Sequence, residues 1–244
     1  MGIEKEGKLI KNPEKGGLEV EISFLETEND ISFITSEIPE NLISVFKRQF
    51  YEVEGDLAVK KFPKPIENLE TIKQNYLKYK PELISQAGNL KPVKWEEGLA
   101  AFIDIVSGED INWWLAGSCS LALRGIDVVP HDIDIMLSSR DLEKIKNHFL
   151  DYTLWPILPT GGWIVEYFGM VFLGCQVDFA FDPLPELDQP EPVDCGPYAG
   201  SHLEEIVWKG QQIKVPPVEL FINVNRKRGR FDRVQAIENF LKIN

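Results

Sequence analysis

No apolar run in these 244 residues approaches the roughly 20 that a membrane-spanning helix needs. The opening stretch, Met1-Gly2-Ile3-Glu4-Lys5-Glu6, lacks the apolar core of a secretory signal, so the chain reads as cytoplasmic. Cysteine is scarce. Cys119, Cys175 and Cys195 are odd in number and form no CxxC pair, which reads as buried or incidental thiols and gives a zinc site little support. Positive charge is also short. Lys and Arg total 26 against 39 Asp and Glu, a net charge of −13, which weighs against a dedicated nucleic-acid binder. There is no internal repeat and no low-complexity tract.

What remains is ordinary globular composition, 43% hydrophobic and 27% charged, enough for one large domain or two modest ones. The charge is uneven along the chain. Residues 151–210 hold ten acids and one cation, Lys209, whereas 211–244 hold seven cations against three acids. A charge run of this kind is usually a solvated face, although a basic tail on an acidic body also suits a polyphosphate.

Alternation over 18–24 predicts a half-buried strand, 28–30 a turn, and 31–34 a returning strand. Leu42, Ile43, Val45, Phe46 and Phe50 follow helical spacing, and 57–59 reads as a short strand. We expect a small α+β domain over 1–62, a helical connector over 63–93 and a larger domain over 94–244. The connector has a helix at 66–80 and a loop at 81–93, where Pro81, Gly88 and Pro92 interrupt. A helix over 94–107 carries Trp95, Leu99, Phe102, Ile103 and Val106 on one stripe.

From Ile111 the pattern becomes strand (111–116), glycine turn (117–118), short helix (119–125), loop, strand (133–137) and helix (140–149). Strands follow at 163–168, 170–173 and 175–181, then a hairpin at 206–208 and 213–215. Two helices close the chain, from Pro216-Pro217 to Arg228 and over 231–242.

Chemistry concentrates at His131-Asp132-Ile133-Asp134-Ile135. In an extended strand alternate side chains share a face, so Asp132 and Asp134 project together, roughly 7 Å apart along the backbone. Two acids held side by side among apolar residues repel each other unless a cation lies between them, and hard oxygen ligands suit Mg²⁺. Just upstream, Gly117 lets backbone come near a phosphate, and Ser118 offers a hydroxyl beside the free N–H groups of a helix start.

Leu115-Ala116-Gly117-Ser118, Asp132-Ile133-Asp134-Ile135 and Val177-Asp178-Phe179 together resemble the nucleotidyltransferase superfamily that includes DNA polymerase beta. The stretch 117–137 is especially similar to its minimal stand-alone members, which include antibiotic-modifying and toxin-type enzymes. Val215-Pro216-Pro217-Val218-Glu219-Leu220 and Arg230-Phe231-Asp232 resemble the helical ending of that group. The likeness covers about residues 95–244 and none of 1–62.

It implies an α+β fold, a mixed β-sheet flanked by helices. It also implies Asp132, Asp134 and Asp178 as metal-binding and catalytic residues, holding two Mg²⁺ ions or Mn²⁺ in their place. The activity implied is transfer of a nucleoside monophosphate from an NTP such as ATP to a hydroxyl, with release of pyrophosphate. Gly117, Ser118, Arg124, Arg226 and Lys227 would contact the nucleotide.

Several residues keep two readings. Arg124 either reaches a triphosphate or pairs with a surface acid. Arg226, Lys227, Arg228, Arg230 and Arg233 either meet the triphosphate or complement a helix C-terminus. Related sequences often carry a lysine where this chain has Asn223 or Asn225. His131 reads as an ordinary loop histidine. The proline-rich loop 185–194, with Glu186, Asp188, Glu191 and Asp194, reads as solvated, or else as a receiver for a cationic acceptor such as an amino sugar. Net charge favours a small-molecule acceptor. A toxin-type enzyme acting on RNA or protein, a non-catalytic nucleotide-binding module of the same fold, and a glycosyltransferase holding a nucleotide sugar are the competing readings.

Overall fold

A computed structural model of the chain describes residues 20–243 in full and residues 5–10 as backbone. Leu18 and Glu19 of the expected first strand lie outside the described residues. The chain divides into two compact units. One comprises the described residues up to Pro92 together with Leu150–Leu154, and the other Val93–Phe149 with Trp155 onward. None of the described helices is long and apolar enough to cross a membrane.

The first unit is an antiparallel sheet made of β1 (Lys5–Ile10), β2 (Val20–Glu26), β3 (Asp30–Ser36), β4 (Glu52–Glu54) and β5 (Leu57–Pro63), in the order β1-β2-β3-β5-β4. Helix α1 (Ile43–Arg48) lies between β3 and β4 in sequence, and α2 (Leu69–Ala87) follows the sheet. Ile22, Phe24, Ile31 and Phe33 are buried. Phe33 meets Phe24, Phe62 and Tyr76 edge-on at centroid separations of 4.9, 5.2 and 4.8 Å. Burying one such ring contributes about 1.5–3 kcal/mol.

Helix α2 runs through Pro81 to Ala87, where sequence predicts a loop from 81. A proline inside a helix costs about 3 kcal/mol through its missing N–H and its clash with the preceding turn. Here the buried stripe Ile72, Tyr76, Leu83 and Ile84 lies on both sides of it and carries the helix across.

The second unit begins with α3 (Trp95–Val106), β6 (Trp113–Ala116), α4 (Gly117–Leu123), β7 (Ile133–Leu137) and α5 (Leu142–His148). Strands β8 (Thr153–Pro159), β9 (Val165–Phe172) and β10 (Gln176–Pro183) complete a five-stranded sheet ordered β6-β7-β10-β9-β8. Then come α6 (Pro197–Ser201), the hairpin β11 (Glu204–Trp208) and β12 (Gln211–Val215), α7 (Leu220–Lys227) and α8 (Phe231–Ile243). The sheet is mixed, with β7 parallel to β10 and antiparallel to β6, and β10 antiparallel to β9. This is the expected mixed sheet flanked by helices.

Alternation sorts the two faces of that sheet. Ile133, Ile135, Val177 and Phe179 are buried on one face. There Phe102 of α3 stacks on Phe149 at 5.6 Å, and Phe149 meets Phe179 edge-on at 4.9 Å. The opposite face carries Trp114, Ala116, Met136, Val165 and Ala199 as one apolar cluster.

Two departures from the sequence expectation have physical causes. Strand β9 is continuous where sequence suggests two pieces, because Gly169 is a close-approach residue. A Cβ there would lie 2.5 Å from Cγ1 of Ile157 on β8. Strand β8 itself contains Pro156, which an edge strand tolerates and a central one does not.

Lys80 of α2 is wholly buried in the first unit. Its Nζ lies 4.6 Å from the Tyr51 ring centroid, 5.2 Å from Phe46 and 5.7 Å from Tyr76, and it donates to Gln49 Oε1 at 3.1 Å. No carboxylate pairs with it among the described residues. Burial, helped by the charge of Lys60, pushes its pKa down to about 7 from an ordinary 10.5. Between those values the unfolded chain holds one proton more than the folded one, so stability rises with pH from about 7 to 10.5 and is lost as pH falls back. The slope from this group reaches at most about 1.4 kcal/mol per pH unit. Urea titrations of the full chain by circular dichroism at pH 7, 8 and 9 should show this rise. Lys80→Met should flatten it and stabilise the protein at pH 7; an unchanged slope in the variant would refute the assignment.

Candidate active site

The register of β7 and β10 brings the acids together. Asp134 and Asp178 are direct Cα partners across this parallel pair, whose strands lie about 4.8 Å apart. Asp134 also faces Ala116 across β6, so the turn that follows Ala116 lies beside it. Asp132, in the bend just before β7, is near enough for its charge to act on both Asp134 and Asp178. All three are half-buried.

Gly117 makes this crowding feasible. Its φ is +63°, a conformation that L side chains rarely adopt, and a Cβ on it would lie 1.8 Å from Oδ2 of Asp134. The turn is closed by Ser120, whose hydroxyl donates to the Gly117 carbonyl at 2.8 Å. Ser118 is buried, and its hydroxyl has no partner among the described residues. The short helix α4 that starts here carries no side-chain cap.

Like charges in a partly dry site oppose ionisation. Burial first, and then the charges of Asp132 and Asp194, push the Asp134 carboxyl up to about 8. Burial and the charges of Asp132 and Asp134 raise Asp178 well above the carboxylate range, while the Gln176 amide, 3.0 Å from each carboxylate oxygen, pulls the other way. Asp132 is raised by burial, with His131, Arg230, Arg233 and Arg228 opposing.

The basic residues separate into two groups. Arg124 donates to Glu204 at 2.6 Å and to the Pro216 carbonyl at 2.9 Å, tying β11 to the start of the last helical segment. Arg226 pairs with Glu238 at 2.7 Å and Lys227 with Glu191 at 3.5 Å. Each cation expected at the nucleotide thus has a protein acid beside it. Arg228, Arg230 and Arg233 have no ion pair among the described residues, yet their charge reaches Asp132, and that of Arg228 and Arg230 reaches Asp134.

Sequence reasoning missed one residue. Asp194, expected in a solvated loop, is only 7% exposed and accepts the Gly117 N–H at 3.3 Å. Burial raises its pKa, opposed by Arg228 and by the Gly117 amide. Nothing in its spacing reveals this, because some 60 residues separate it from the Asp132–Asp134 pair.

Carboxylate oxygens from two neighbouring strands are hard donors of the class a divalent cation takes, and the nearby arginines offset only part of their repulsion. Among the described residues no group of three or more acid, histidine or cysteine side chains is disposed to hold a metal ion by itself.

The family described as aminoglycoside-2''-adenylyltransferase matches residues 98–157, from α3 through β8. A solved structure from Thermotoga maritima, whose description gives nucleotidyl transfer as an inferred activity, is 23% identical. It covers 62% of this chain and 94% of its own, with a TM-score of 0.45. No curated protein matches the chain. The segment matched by that family model contains β6, the Gly117 turn, Asp132 and β7 with Asp134.

Proposed function

We propose that this chain moves a nucleoside monophosphate from an NTP to a hydroxyl group of a small molecule, with release of pyrophosphate. The observation that carries this reading is the opposition of Asp134 and Asp178 across β7 and β10, directly under the Gly117 turn. The matching family is named for adenylyl transfer to an aminoglycoside, which makes ATP the first donor to try. A net charge of −13 suits an acceptor that carries amines.

In this reading Asp132, Asp134 and Asp178 hold Mg²⁺, which when bound neutralises charge on the transferring phosphoryl group and on the leaving pyrophosphate. Arg228 and Arg230, free of protein acids, take the β- and γ-phosphates. Arg124, Arg226 and Lys227 stay with their carboxylate partners. Ser118 supplies its unpaired hydroxyl to a phosphate oxygen. Asp178, oriented by Gln176 and ionised once its charge is offset, accepts the proton of the attacking hydroxyl. The hydroxyl oxygen bonds to the α-phosphorus as the bond from that phosphorus to the bridging oxygen breaks.

Asp134→Asn and Asp178→Asn should each lower NTP- and Mg²⁺-dependent pyrophosphate release by about 10³-fold, since a lost metal ligand is worth several kcal/mol. Activity unchanged in both would sink the proposal, and NTP binding without turnover across a broad acceptor screen would favour the non-catalytic module. Gly117→Ala should lose activity to a similar degree while costing about 1–3 kcal/mol of stability, because the left-handed turn strains and the new methyl displaces Asp134. Wild-type turnover in that variant would show that the turn does not set the position of Asp134.

A further inference from the structure

We propose that Asp194 is a positioning residue of this site, holding the Gly117 turn and, through it, the carboxylate of Asp134. The inference rests on the functional reading above. Asp194 lies beyond β10, in a loop whose acids would ordinarily be solvated, yet it is buried and its Oδ2 accepts the Gly117 N–H at 3.3 Å. Gly117 in turn leaves no room for a Cβ against Asp134 Oδ2. The three groups form a chain of contacts: Asp194 fixes the amide, the amide fixes the turn, and the turn bounds the orientations open to Asp134.

The loop is built to keep Asp194 in place. Asp188 Oδ1 accepts the Val193 N–H at 3.1 Å, and its Oδ2 accepts the Tyr198 N–H at 2.7 Å, so one carboxylate clasps the backbone on both sides of Asp194. Cys195, the next residue, packs against the cluster that contains Trp114 and Ala116. Glu191 accepts from Asn223 and pairs with Lys227, tying the loop to α7, the helix that leads to Arg228 and Arg230. The loop thus joins the glycine turn to the helix preceding the unpaired arginines. Asn223 and Lys227 are engaged by this tie.

Groups behind the direct ligands of a metal typically change affinity 10–100-fold when removed. Calorimetric titration of each of the four NTPs with Mg²⁺ into the full chain supplies the reference affinity. Asp194→Ala should weaken the best of these by about tenfold or more. Asp194→Asn, which keeps an oxygen to accept the Gly117 N–H, should recover most of it. In protein labelled with ¹⁵N-glycine, the Gly117 amide proton should move upfield in Asp194→Ala and return towards its original position in Asp194→Asn. Wild-type affinity and an unmoved amide in Asp194→Ala would overturn the inference, as would equal losses of affinity in the two variants. Asp134→Asn in the same titrations separates the two claims. If it loses binding while Asp194→Ala does not, only the role of Asp194 fails; if it too binds normally, or the wild-type chain binds no NTP, the functional reading fails.

Discussion

Carboxylates brought onto one face of a sheet repel each other, and the second unit is arranged around keeping them there. Register holds Asp134 opposite Asp178, and a slip of one residue on either strand would send one of them to the opposite face. The apolar face behind them, with Phe102, Phe149 and Phe179 packed together, is what fixes that register. Hydrophobic burial on one side of the sheet therefore holds electrostatic strain on the other. In the proposed reading a divalent cation would relieve that strain and would bring the nucleotide phosphates to an otherwise acidic site.

The same logic explains why the cations lie where they do. Had Arg228 and Arg230 been paired as Arg226 is with Glu238, their charge would be spent within the protein. Exposed and without ion pairs among the described residues, they offset part of the field of Asp132 and Asp134 from a distance. Their exposure keeps the cost of leaving them unpaired small, since water solvates them. The acids lack that freedom, being attached to strands.

Much of this was legible in the sequence. Asp132 and Asp134 announce themselves because strand alternation is a local rule, and Gly117-Ser118 because a turn needs residues that tolerate it. The mixed sheet and the closing pair of helices follow from apolar periodicity in the same way. What escaped notice depends on contacts distant in sequence. Strand β8 hides because Pro156 argues against a strand unless that strand is known to be an edge. The split expected at Gly169 disappears once Ile157 is seen pressing on it. The division of labour among five clustered cations is decided by Glu191 and Glu238, which no spacing rule connects to them. Asp194 is the extreme case, since a proline-rich acidic loop looks the same on paper whether it is solvated or folded onto a glycine amide.

Lys80 in the first unit sharpens the physical contrast. It too is a buried ionisable group without an opposite charge among the described residues, but its surroundings are three aromatic rings and one amide. A single amine in such a cage has a simple way out: it gives up its proton, and the ring faces and Gln49 solvate whatever charge remains. Carboxylates crowded together have no equally simple escape, because protonating one relieves its neighbours only in part. Lys80 therefore sheds its charge from about pH 7 upward, whereas Asp132, Asp134 and Asp178 go on acting on one another. Burial without a partner is common to both places. The number of like charges sharing the space, and the presence of an opening to solvent, separate a packing feature from a site poised for chemistry.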